Sequence, residues 1–574
     1  MQDAMNWLAR DPDPRTREEL QHLIDEGMHD ELEDRFTQRL EFGTAGLRGK
    51  VGCGPNRMNR LVIQETATGL GHYLIEHVAN ATIRGVVIGY DGRLDSKQFA
   101  IDTASVLTAL GIKVYLTSDV AATPIVAFGI EHFNAAGAVV VTASHNPPEY
   151  NGFKVYWENG AQIIPPHDAG IAGEIDVAST KPIPLMSLSD AEAQGKLVWL
   201  TEGYYQTYRA AINQSPYVNN TLESANTTIT YTAMHGVGAK MAEDLLHDAG
   251  FHKVFSVAEQ REPDGNFPTV NFPNPEEKGA MDLVINLAKS VDADIACAND
   301  PDADRFAVAV RTDDTARTDD ASYKMLTGDQ VGVLFAHYLL SKPHTKNQLV
   351  GNSIVSSTLL EKVAQSHGAT YFQTLTGFKW LANIGMQLED EQNEFLFAYE
   401  EALGYTIGTQ VRDKDGLSAI VVFAQLVEEL KSQGRTVWDL LAQISFEHGV
   451  HTNAQRSIAL DPDSPSIGSK LRAAQPKAIN GVAISVIEDL QSSLRFVIGG
   501  NTEAINLPSS DVLIYHLEDG TRIIVRPSGT EPKVKVYYET VTKFEGTETY
   551  EDTRLRGEED MNKLIEQHQQ ELNA

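Results

Sequence analysis

The chain has 574 residues and carries 47 Lys and Arg residues against 79 Asp and Glu residues, a net charge of −32. This length is too great for one hydrophobic core and, at roughly 150 residues per domain, predicts about four domains. The negative charge argues against nucleic acids and membranes as partners, although a local cluster of Arg and Lys can still bind an anionic small molecule because salt screens the field within ~8 Å.

Targeting and redox features predict a cytoplasmic protein. No apolar run approaches the ~18 residues that span a bilayer, and residues 1–6 lack the basic and apolar segments of a signal peptide. The two cysteines, Cys53 and Cys297, are far apart in sequence, so we expect reduced thiols rather than a disulfide framework.

A glycine-rich segment at residues 41–50 places three glycines around Arg48. Glycines let backbone N–H groups and a guanidinium converge on an anion. The same composition is also typical of a simple turn, and both interpretations stay open.

From residue 85 onward, apolar strands alternate with helices. Residues 85–90, 112–116 and 138–141 predict strands, with a helix after Asp95 and another over 124–133. This βαβ series predicts a doubly wound α/β layer, in which ligands bind at the carboxyl ends of the parallel strands.

The strand at 138–141 leads into Thr142-Ala143-Ser144-His145-Asn146-Pro147, so Ser144 emerges at its carboxyl end. A serine presented on such a turn beside His145 suggests a nucleophile, and a Ser/Asn turn without chemistry is the alternative. Lys154 follows on the next segment. It could reach the serine or its phosphate, or it could be a solvated strand lysine.

A second αβ unit delivers three carboxylates to one loop. After an apolar strand at 292–298, Asp300, Asp302 and Asp304 occupy alternate positions, followed by Arg305. They can turn toward one hard cation, and such oxygen ligands suit Mg²⁺ that shares its coordination shell with a phosphate. An acidic solvated turn is the alternative, but the apolar strands on both sides favour a metal site.

A third αβ unit carries two further polar motifs. One is Thr376-Gly377-Phe378-Lys379-Trp380, and the other is the adjacent pair Glu400 and Glu401 after a strand at 395–398. Paired carboxylates can accept hydrogen bonds from sugar hydroxyls. Alternatively, one of them is a general base, or both cap the next segment.

After about residue 449 the pattern changes to short strands without long helices between them, which predicts a small α+β unit that ends in a helix at 558–574. The loop from Arg526 to Pro532 offers a guanidinium, two hydroxyls and backbone amides. This combination is typical of a phosphate-binding loop.

Five of these motifs, in this order, resemble those of the α-D-phosphohexomutase superfamily of phosphoglucomutases and phosphomannomutases. They are TASHNP from Thr142, DPDADR from Asp300, GFK from Gly377, EEALG from Glu400 and RPSGTEP from Arg526. The longer forms GTAGLRG from Gly43 and DKDG from Asp413 are most similar to the phosphoglucomutase/phosphopentomutase-type branch.

The resemblance implies an α/β protein of four domains around a central cleft, three of them doubly wound α/β domains and the fourth a smaller C-terminal α+β domain. We place the phosphoserine loop in residues 1–213, the metal loop in 214–324, the sugar-binding loops in 325–449 and the phosphate-binding loop in 450–574.

The resemblance also implies roles for individual residues. Ser144 is expected to carry the phosphoryl group as phosphoserine. The implied catalytic residues are Ser144, His145, Lys154, Arg48 and Arg305; the substrate-binding residues are Gly377, Lys379, Glu400, Glu401, Arg526, Ser528, Gly529 and Thr530; the Mg²⁺ ligands are Ser144, Asp300, Asp302 and Asp304. Many relatives have a serine where this chain has Ala402, which leaves the choice of sugar open.

The predicted function is that of a phosphosugar mutase, an isomerase that moves a phosphoryl group between C1 and C6 of a hexose through a phosphoserine and a sugar bisphosphate. Glucose 1-phosphate is the expected substrate and a sugar 1,6-bisphosphate the expected activator; mannose and pentose phosphates are alternatives. A serine hydrolase is the alternative from another class, weakened because no GxSxG elbow surrounds Ser144. A phosphosugar-binding protein without catalysis would need a degraded serine or metal loop, and both motifs are intact.

Overall fold

The βαβ series forms a mixed six-stranded sheet in the computed structural model, which describes residues 1–219, 222, 224–312, 323–459, 467–527 and 533–573. Its strands are β1 (Leu47–Lys50), β2 (Val86–Tyr90), β3 (Val114–Thr117), β4 (Gly137–Val141), β5 (Tyr150–Trp157) and β6 (Leu197–Leu200). In the order β1-β5-β4-β2-β3-β6, the strands β2, β3, β4 and β6 run parallel, whereas β5 is antiparallel to both β4 and β1. The glycine-rich segment at 41–50 therefore ends in an edge strand.

Ten helices accompany this sheet in the described residues: α1 (Gln2–Arg10), α2 (Pro14–Asp25), α3 (His29–Phe36), α4 (Arg60–His77), α5 (Ala81–Arg84), α6 (Ser96–Ala109), α7 (Thr123–Phe133), α8 (His167–Ala178), α9 (Leu188–Ala193) and α10 (Glu202–Asn213). Asp13 caps α2 by accepting a hydrogen bond from the backbone N–H of Arg15. Helix α4 packs against α6 and α8 and is buried on nearly every face.

A five-stranded sheet follows, with strands β7 (Ile229–Thr232), β8 (Val254–Ser256), β9 (Ile295–Ala298), β10 (Ala307–Arg311) and β11 (Tyr323–Met325). Strands β7, β8 and β9 are parallel, and β10 and β11 extend the sheet in antiparallel pairs. Helices α11 (Ala239–Asp248) and α12 (Asp282–Val291) connect the parallel strands. Strand β9 therefore delivers the aspartate loop at its carboxyl end, as predicted.

The third αβ segment comprises α13 (Gly328–Leu340), β12 (Asn347–Ser353), α14 (Leu359–Ser366), β13 (Thr370–Thr374), α15 (Phe378–Leu388), β14 (Asn393–Glu400), β15 (Gly404–Ile407), α16 (Gly416–Ser432) and α17 (Val437–His448). Strands β12 and β13 pair in parallel, and β14 and β15 form an antiparallel pair. The Asp415 side chain caps α16 by accepting hydrogen bonds from the backbone N–H groups of Leu417 and Ser418.

The last segment is the predicted α+β unit. Its elements are β16 (Val450–Ala459), α18 (Ile467–Ala473), β17 (Ala478–Ile479), β18 (Val482–Asp489), β19 (Leu494–Val497), β20 (Thr502–Ala504), β21 (Leu513–Leu517), β22 (Arg522–Pro527), β23 (Lys533–Thr542) and α19 (Tyr550–Asn573). All of the strand pairs are antiparallel. Helix α19 begins eight residues before the predicted start at 558, because its first turn is polar and carries no apolar periodicity.

Contacts divide the chain into two compact units. The first contains Met1–Gly328, Phe378–Glu389 and Phe395–Gly434, and the second contains Asp329–Gly377, Asp390–Glu394 and Arg435–Ala574. In the described ranges, no helix is both long and apolar enough to cross a bilayer. The domain boundaries proposed from the sequence remain predictions.

Candidate active site

Ser144 lies just beyond the end of β4, as predicted. All five residues of β4 are buried, which is typical of a strand covered on both faces. The backbone then turns through a left-handed conformation at Ser144, where φ is +51°, and the Ser144 N–H donates to Thr142 Oγ1 at 2.8 Å. This turn places the side chain at the carboxyl edge of the sheet, where ligands of doubly wound sheets bind.

Arg93, beyond the end of β2, fixes the backbone of the Ser144 loop. Its guanidinium donates hydrogen bonds of 2.6–2.9 Å to the carbonyl oxygens of Ser144, Asn146, Pro147 and Tyr150. The side chain is 2% exposed, and only arginine offers this many donors in a rigid plane. Arg93 follows β2 by only three residues, but no local sequence pattern indicates these contacts.

The Ser144 hydroxyl joins this loop to the aspartate loop. Ser144 Oγ donates to Asp300 Oδ2 at 2.7 Å and lies 3.2 Å from His145 Nδ1. Burial, together with the nearby Arg305 and Arg48, lowers the pKa of His145 to about 2, so the imidazole is neutral at pH 7.

The three aspartates among the four predicted metal ligands form one buried cluster. Asp300, Asp302 and Asp304 are each at most 1% exposed, and each offers a carboxylate oxygen within 4.8 Å of the others. Burial and the two neighbouring carboxylates raise the pKa of Asp300 well above its ordinary value. The cluster is therefore short of positive charge.

The donor set fits a divalent cation. Asp302 Oδ1 and Asp304 Oδ1 are buried and have no hydrogen-bond partner among the described residues. A buried carboxylate oxygen without a partner is costly unless a cation binds it. Carboxylate oxygens are also the ligands that Mg²⁺ prefers, so the residues present match the predicted ion.

Lys154 bridges two of the three aspartates. From β5, its Nζ lies 2.7 Å from Asp302 Oδ2 and 2.8 Å from Asp304 Oδ2. The residue is 6% exposed, so the alternative of a solvated strand lysine is wrong. Although burial opposes ionisation of Asp302, Lys154 lowers the pKa of this carboxyl below its ordinary value.

Lys414 is a second cation at the cluster, and it is not among the residues predicted for the site. Its Nζ lies 3.2 Å from Asp304 Oδ2 and 3.3 Å from Asp413 Oδ1. Burial opposes its charge, but Asp304 and Asp413 raise the pKa of Lys414 above its ordinary value. The DKDG motif contained the only available signal, a lysine between two aspartates at the start of a helix.

Two of the predicted arginines, Arg305 and Arg48, contact the aspartate loop and the Ser144 loop respectively. Arg305 donates its backbone N–H to Asp300 Oδ1 at 3.0 Å, and its guanidinium is 3.5 Å from Glu276. Arg48 is exposed on β1 and donates to Asn146 Oδ1 at 3.1 Å. Both guanidinium groups are close enough to His145, the neighbour of Ser144, to disfavour its charged form.

Three of the predicted sugar-binding residues belong to the same compact unit as Ser144. Lys379, in the first turn of α15, donates to Thr44 Oγ1 in the glycine-rich segment before Arg48. Glu400 ends β14, and Glu401 opens the turn that contains Ala402. The turn is tied to the aspartate loop because Phe306 N–H donates to the Leu403 carbonyl at 3.1 Å.

The remaining predicted residues belong to the second unit or lie outside the described residues. Gly377 precedes α15, and Arg526 is partly buried near the end of β22. Ser528, Gly529 and Thr530 fall within 528–532, outside the residues that the structure describes. Phosphate binding by this loop therefore stays a prediction.

Comparison with protein families identifies four consecutive domains. Residues 39–181, 205–313 and 327–445 match phosphoglucomutase/phosphomannomutase alpha/beta/alpha domains I, II and III, and residues 471–555 match the C-terminal domain of the same family. These matches confirm the predicted four-domain α/β architecture.

Individual relatives carry names with three different sugars. The chain is 36% identical to a probable phosphoribomutase of Schizosaccharomyces pombe, with 92% of both chains covered. It is 39% identical to a probable phosphomannomutase of Haemophilus influenzae, over 84% of this chain and 92% of the relative. It is 35% identical to a phosphoglucomutase of Staphylococcus haemolyticus, over 88% of this chain and 91% of the relative.

The fold is also similar to that of a solved structure, pp63/parafusin from Paramecium. The TM-score is 0.67 at 17% identity, with 93% of this chain and 96% of that chain covered. The matched domains and the full-length relatives together show that this chain belongs to the phosphoglucomutase/phosphomannomutase family of mutases, which are isomerases of the intramolecular phosphotransferase class.

Proposed function

We propose that the protein is a Mg²⁺-dependent phosphosugar mutase in which Ser144 carries the phosphoryl group. The observation that supports this most directly is the 2.7 Å hydrogen bond from the buried Ser144 hydroxyl to Asp300. It joins the phosphoryl carrier to a carboxylate cluster that has two oxygens free for a cation.

In the forward half-reaction, a sugar hydroxyl oxygen attacks the phosphorus of phosphoserine 144. A P–O bond to the sugar forms, and the P–O bond to Ser144 Oγ breaks. The hydroxyl proton is transferred to Ser144 Oγ, which leaves as a hydroxyl. Neutral His145, whose Nδ1 lies 3.2 Å from Ser144 Oγ, is placed to relay this proton, and the Lys154 ammonium is the alternative group, as a proton donor to the departing oxygen. The sugar bisphosphate then returns its other phosphoryl group to Ser144.

The charged residues have separate tasks in this scheme. Lys154, Arg48 and Arg305 balance the charge of the transferred group in its loose transition state. Bound at Asp300, Asp302, Asp304 and the phosphoserine, Mg²⁺ would supply charge neutralisation at the phosphoryl oxygens.

The other end of the substrate needs a second set of contacts. We assign sugar binding to Gly377, Lys379, Glu400 and Glu401. Arg526, with Ser528, Gly529 and Thr530, is assigned the phosphate that is not being transferred. The bisphosphate must reorient between the two transfers, so the protein needs one site for the phosphoryl group being transferred and a second for the other phosphate.

Glucose 1-phosphate remains our proposed substrate, converted to glucose 6-phosphate with a sugar 1,6-bisphosphate as activator. Pentose 1-phosphate is the second candidate. It is supported by Ala402, which removes a hydroxyl next to the two glutamates, and by the relative named as a phosphoribomutase. Mannose 1-phosphate is a third candidate of the same mechanism.

The mechanism is tested with Ser144→Ala and a matched serine variant. Ser105→Ala is the control, because Ser105, on α6, donates its hydroxyl to the Met186 carbonyl. With Mg²⁺ and glucose 1,6-bisphosphate present, Ser144→Ala should show no turnover and Ser105→Ala full turnover. Normal rates in Ser144→Ala, or acyl-ester hydrolysis without Mg²⁺, would exclude the mutase mechanism.

The substrate is tested by comparing kcat/KM for glucose, mannose and ribose 1-phosphates. We expect the highest value for glucose 1-phosphate. A higher value for ribose 1-phosphate would move the assignment to the pentose while leaving the role of Ser144 intact.

A further inference from the structure

Lys414 stands between two buried aspartates, and each of them is held by a buried tyrosine from another part of the chain. Tyr156, on β5, donates its hydroxyl to Asp413 Oδ2 at 2.5 Å. Tyr208, on α10, lies 2.9 Å from both oxygens of Asp415. Both tyrosines are fully buried, and the aspartates are 1% and 2% exposed.

Each aspartate has further partners that fix the backbone. Asp413 accepts from Gln162 Nε2 at 2.8 Å and from the Lys414 N–H at 2.7 Å. Asp415 caps α16. The segment that carries Lys414 is therefore anchored on both sides of the lysine.

The lysine side chain itself is confined. A Cβ at Gly404 would lie 2.3 Å from Lys414 Cδ, so the glycine leaves room for the lysine stem. Beyond the stem, Nζ meets Asp304 Oδ2 at 3.2 Å. Lysine has much rotamer freedom to lose, and an anchored backbone with a shaped channel reduces the number of positions that its ammonium can take.

We propose that Tyr156 and Tyr208 are positioning residues that, through Asp413 and Asp415, hold the Lys414 ammonium against the aspartate cluster. This inference rests on the proposed function. The two tyrosines touch no proposed substrate group and act only through the aspartates. Burial and the neighbouring carboxylates also raise the pKa of both phenols well above the ordinary value, so both stay proton donors.

Tyr156 has a second link to the centre, because Lys154 lies two residues earlier on the same face of β5. Strand β5 therefore contributes Lys154, which contacts Asp302 and Asp304, and Tyr156, which helps to position Lys414. A small displacement of a charged group at a phosphoryl-transfer centre lowers the rate of the chemical step.

The test begins with Tyr156→Phe and Tyr208→Phe, which keep the ring and remove only the hydroxyl. We expect kcat to fall about tenfold for Tyr156→Phe and about threefold for Tyr208→Phe, with KM within about twofold of the unsubstituted protein. Tyr204→Phe is the matched control, because this buried tyrosine on α10 donates to the Ile125 carbonyl instead. It should keep kcat within about twofold.

A double-variant cycle separates positioning from a general structural role. In a Lys414→Met background, Tyr156→Phe should lower kcat by less than about twofold, because the group that it positions is gone. An undiminished effect in that background, or an unchanged kcat in both single variants, would overturn the inference. Lack of mutase activity in the unsubstituted protein would overturn the proposed function and this inference with it.

Discussion

Two buried charge networks, one in each compact unit, differ in how completely their charges are paired. In the second unit, Arg522 lies 2.9 Å from Glu539 and also donates to two backbone carbonyls. Glu539 Oε1 accepts hydrogen bonds from Ser357 and lies 2.9 Å from His451 Nδ1.

The network in the first unit has a surplus of negative charge. Three carboxylates face the two cations Lys154 and Lys414, whereas Glu539 and Arg522 carry one charge each. Both networks contain buried polar atoms without a hydrogen bond among the described residues, so the difference between them lies in the count of charges. A matched buried ion pair supports the fold, whereas a buried surplus destabilises it unless a ligand supplies the missing charge. The comparison therefore supports the proposed role of the aspartate cluster in catalysis and favours a structural role for the Arg522–Glu539 pair.

The variant Asp300→Asn tests the interpretation of the aspartate cluster and should have the largest effect. We expect kcat to fall about 1,000-fold, because an oxygen that faces both Ser144 and the proposed cation loses its charge. In EDTA the free energy of unfolding should not fall, because the change relieves repulsion among three buried carboxylates.

Asp248→Asn is the control for this variant, since Asp248 forms a surface ion pair with Arg209. It should leave kcat unchanged. Both readouts, steady-state kinetics and urea unfolding, use the full chain. A near-normal kcat in Asp300→Asn, or a large loss of stability in EDTA, would contradict the functional interpretation of the cluster.

Glu539→Gln should have the opposite effect to Asp300→Asn, a loss of stability rather than a loss of kcat. Removing this charge leaves Arg522 buried without its partner, and we expect the free energy of unfolding to fall by about 3 kcal/mol. Urea unfolding measures this loss, with the exposed Glu518→Gln as control. A variant as stable as that control would show that the pair does not hold the second unit together.

A third prediction concerns the backbone of the Ser144 loop. Arg93→Lys keeps the charge but loses the planar set of donors, so we expect kcat to fall about 30-fold. Arg84→Lys is a matched control, because Arg84 also donates to loop carbonyls, those of Asn134 and Ala135. Equal kcat values for the two variants would argue against a role of Arg93 in presenting Ser144.

The smallest expected effect is a pH dependence of stability in the second unit. The pKa of Glu539 is lowered: although burial opposes its ionisation, Arg522 and His451 favour the charged form. His451 is itself in contact with Lys362. A depressed carboxyl pKa stabilises the fold above the unfolded pKa of ~4.3, and this stabilisation is lost as pH falls through the folded pKa.

The stability difference between the unsubstituted protein and Glu539→Gln should therefore shrink as the pH falls below about 4. Urea unfolding at several pH values below 5 measures it. A difference that grows as the pH is lowered through this range would have the wrong sign for a depressed pKa.

Much of the site could be predicted from the sequence because it depends on local patterns. Ser144 and Asp300 each follow a buried strand, β4 and β9, and carboxyl ends of parallel strands are where ligand-binding loops lie. The three aspartates at alternate positions also form a single cluster in the structure.

Other features depend on contacts between distant segments, which no local pattern contains. Lys414 reaches Asp304 from another part of the chain, and Arg93 contacts the Ser144 loop across the sheet edge. Helix α4 is buried on nearly all faces, so its sequence lacks the apolar periodicity that identifies a surface helix. The antiparallel strands β1 and β5 were likewise not evident from a βαβ pattern.

The transfer of a phosphoryl group from Ser144 to the sugar and back is tested most directly by mapping the phosphate on the protein. The full chain is incubated with Mg²⁺ and isotopically labelled glucose 1,6-bisphosphate, digested, and analysed by mass spectrometry before and after a chase with unlabelled glucose 1-phosphate. We predict labelled phosphate on Ser144 that is replaced by unlabelled phosphate during the chase. Label on another residue, or label on Ser144 that the chase does not displace, would contradict the account.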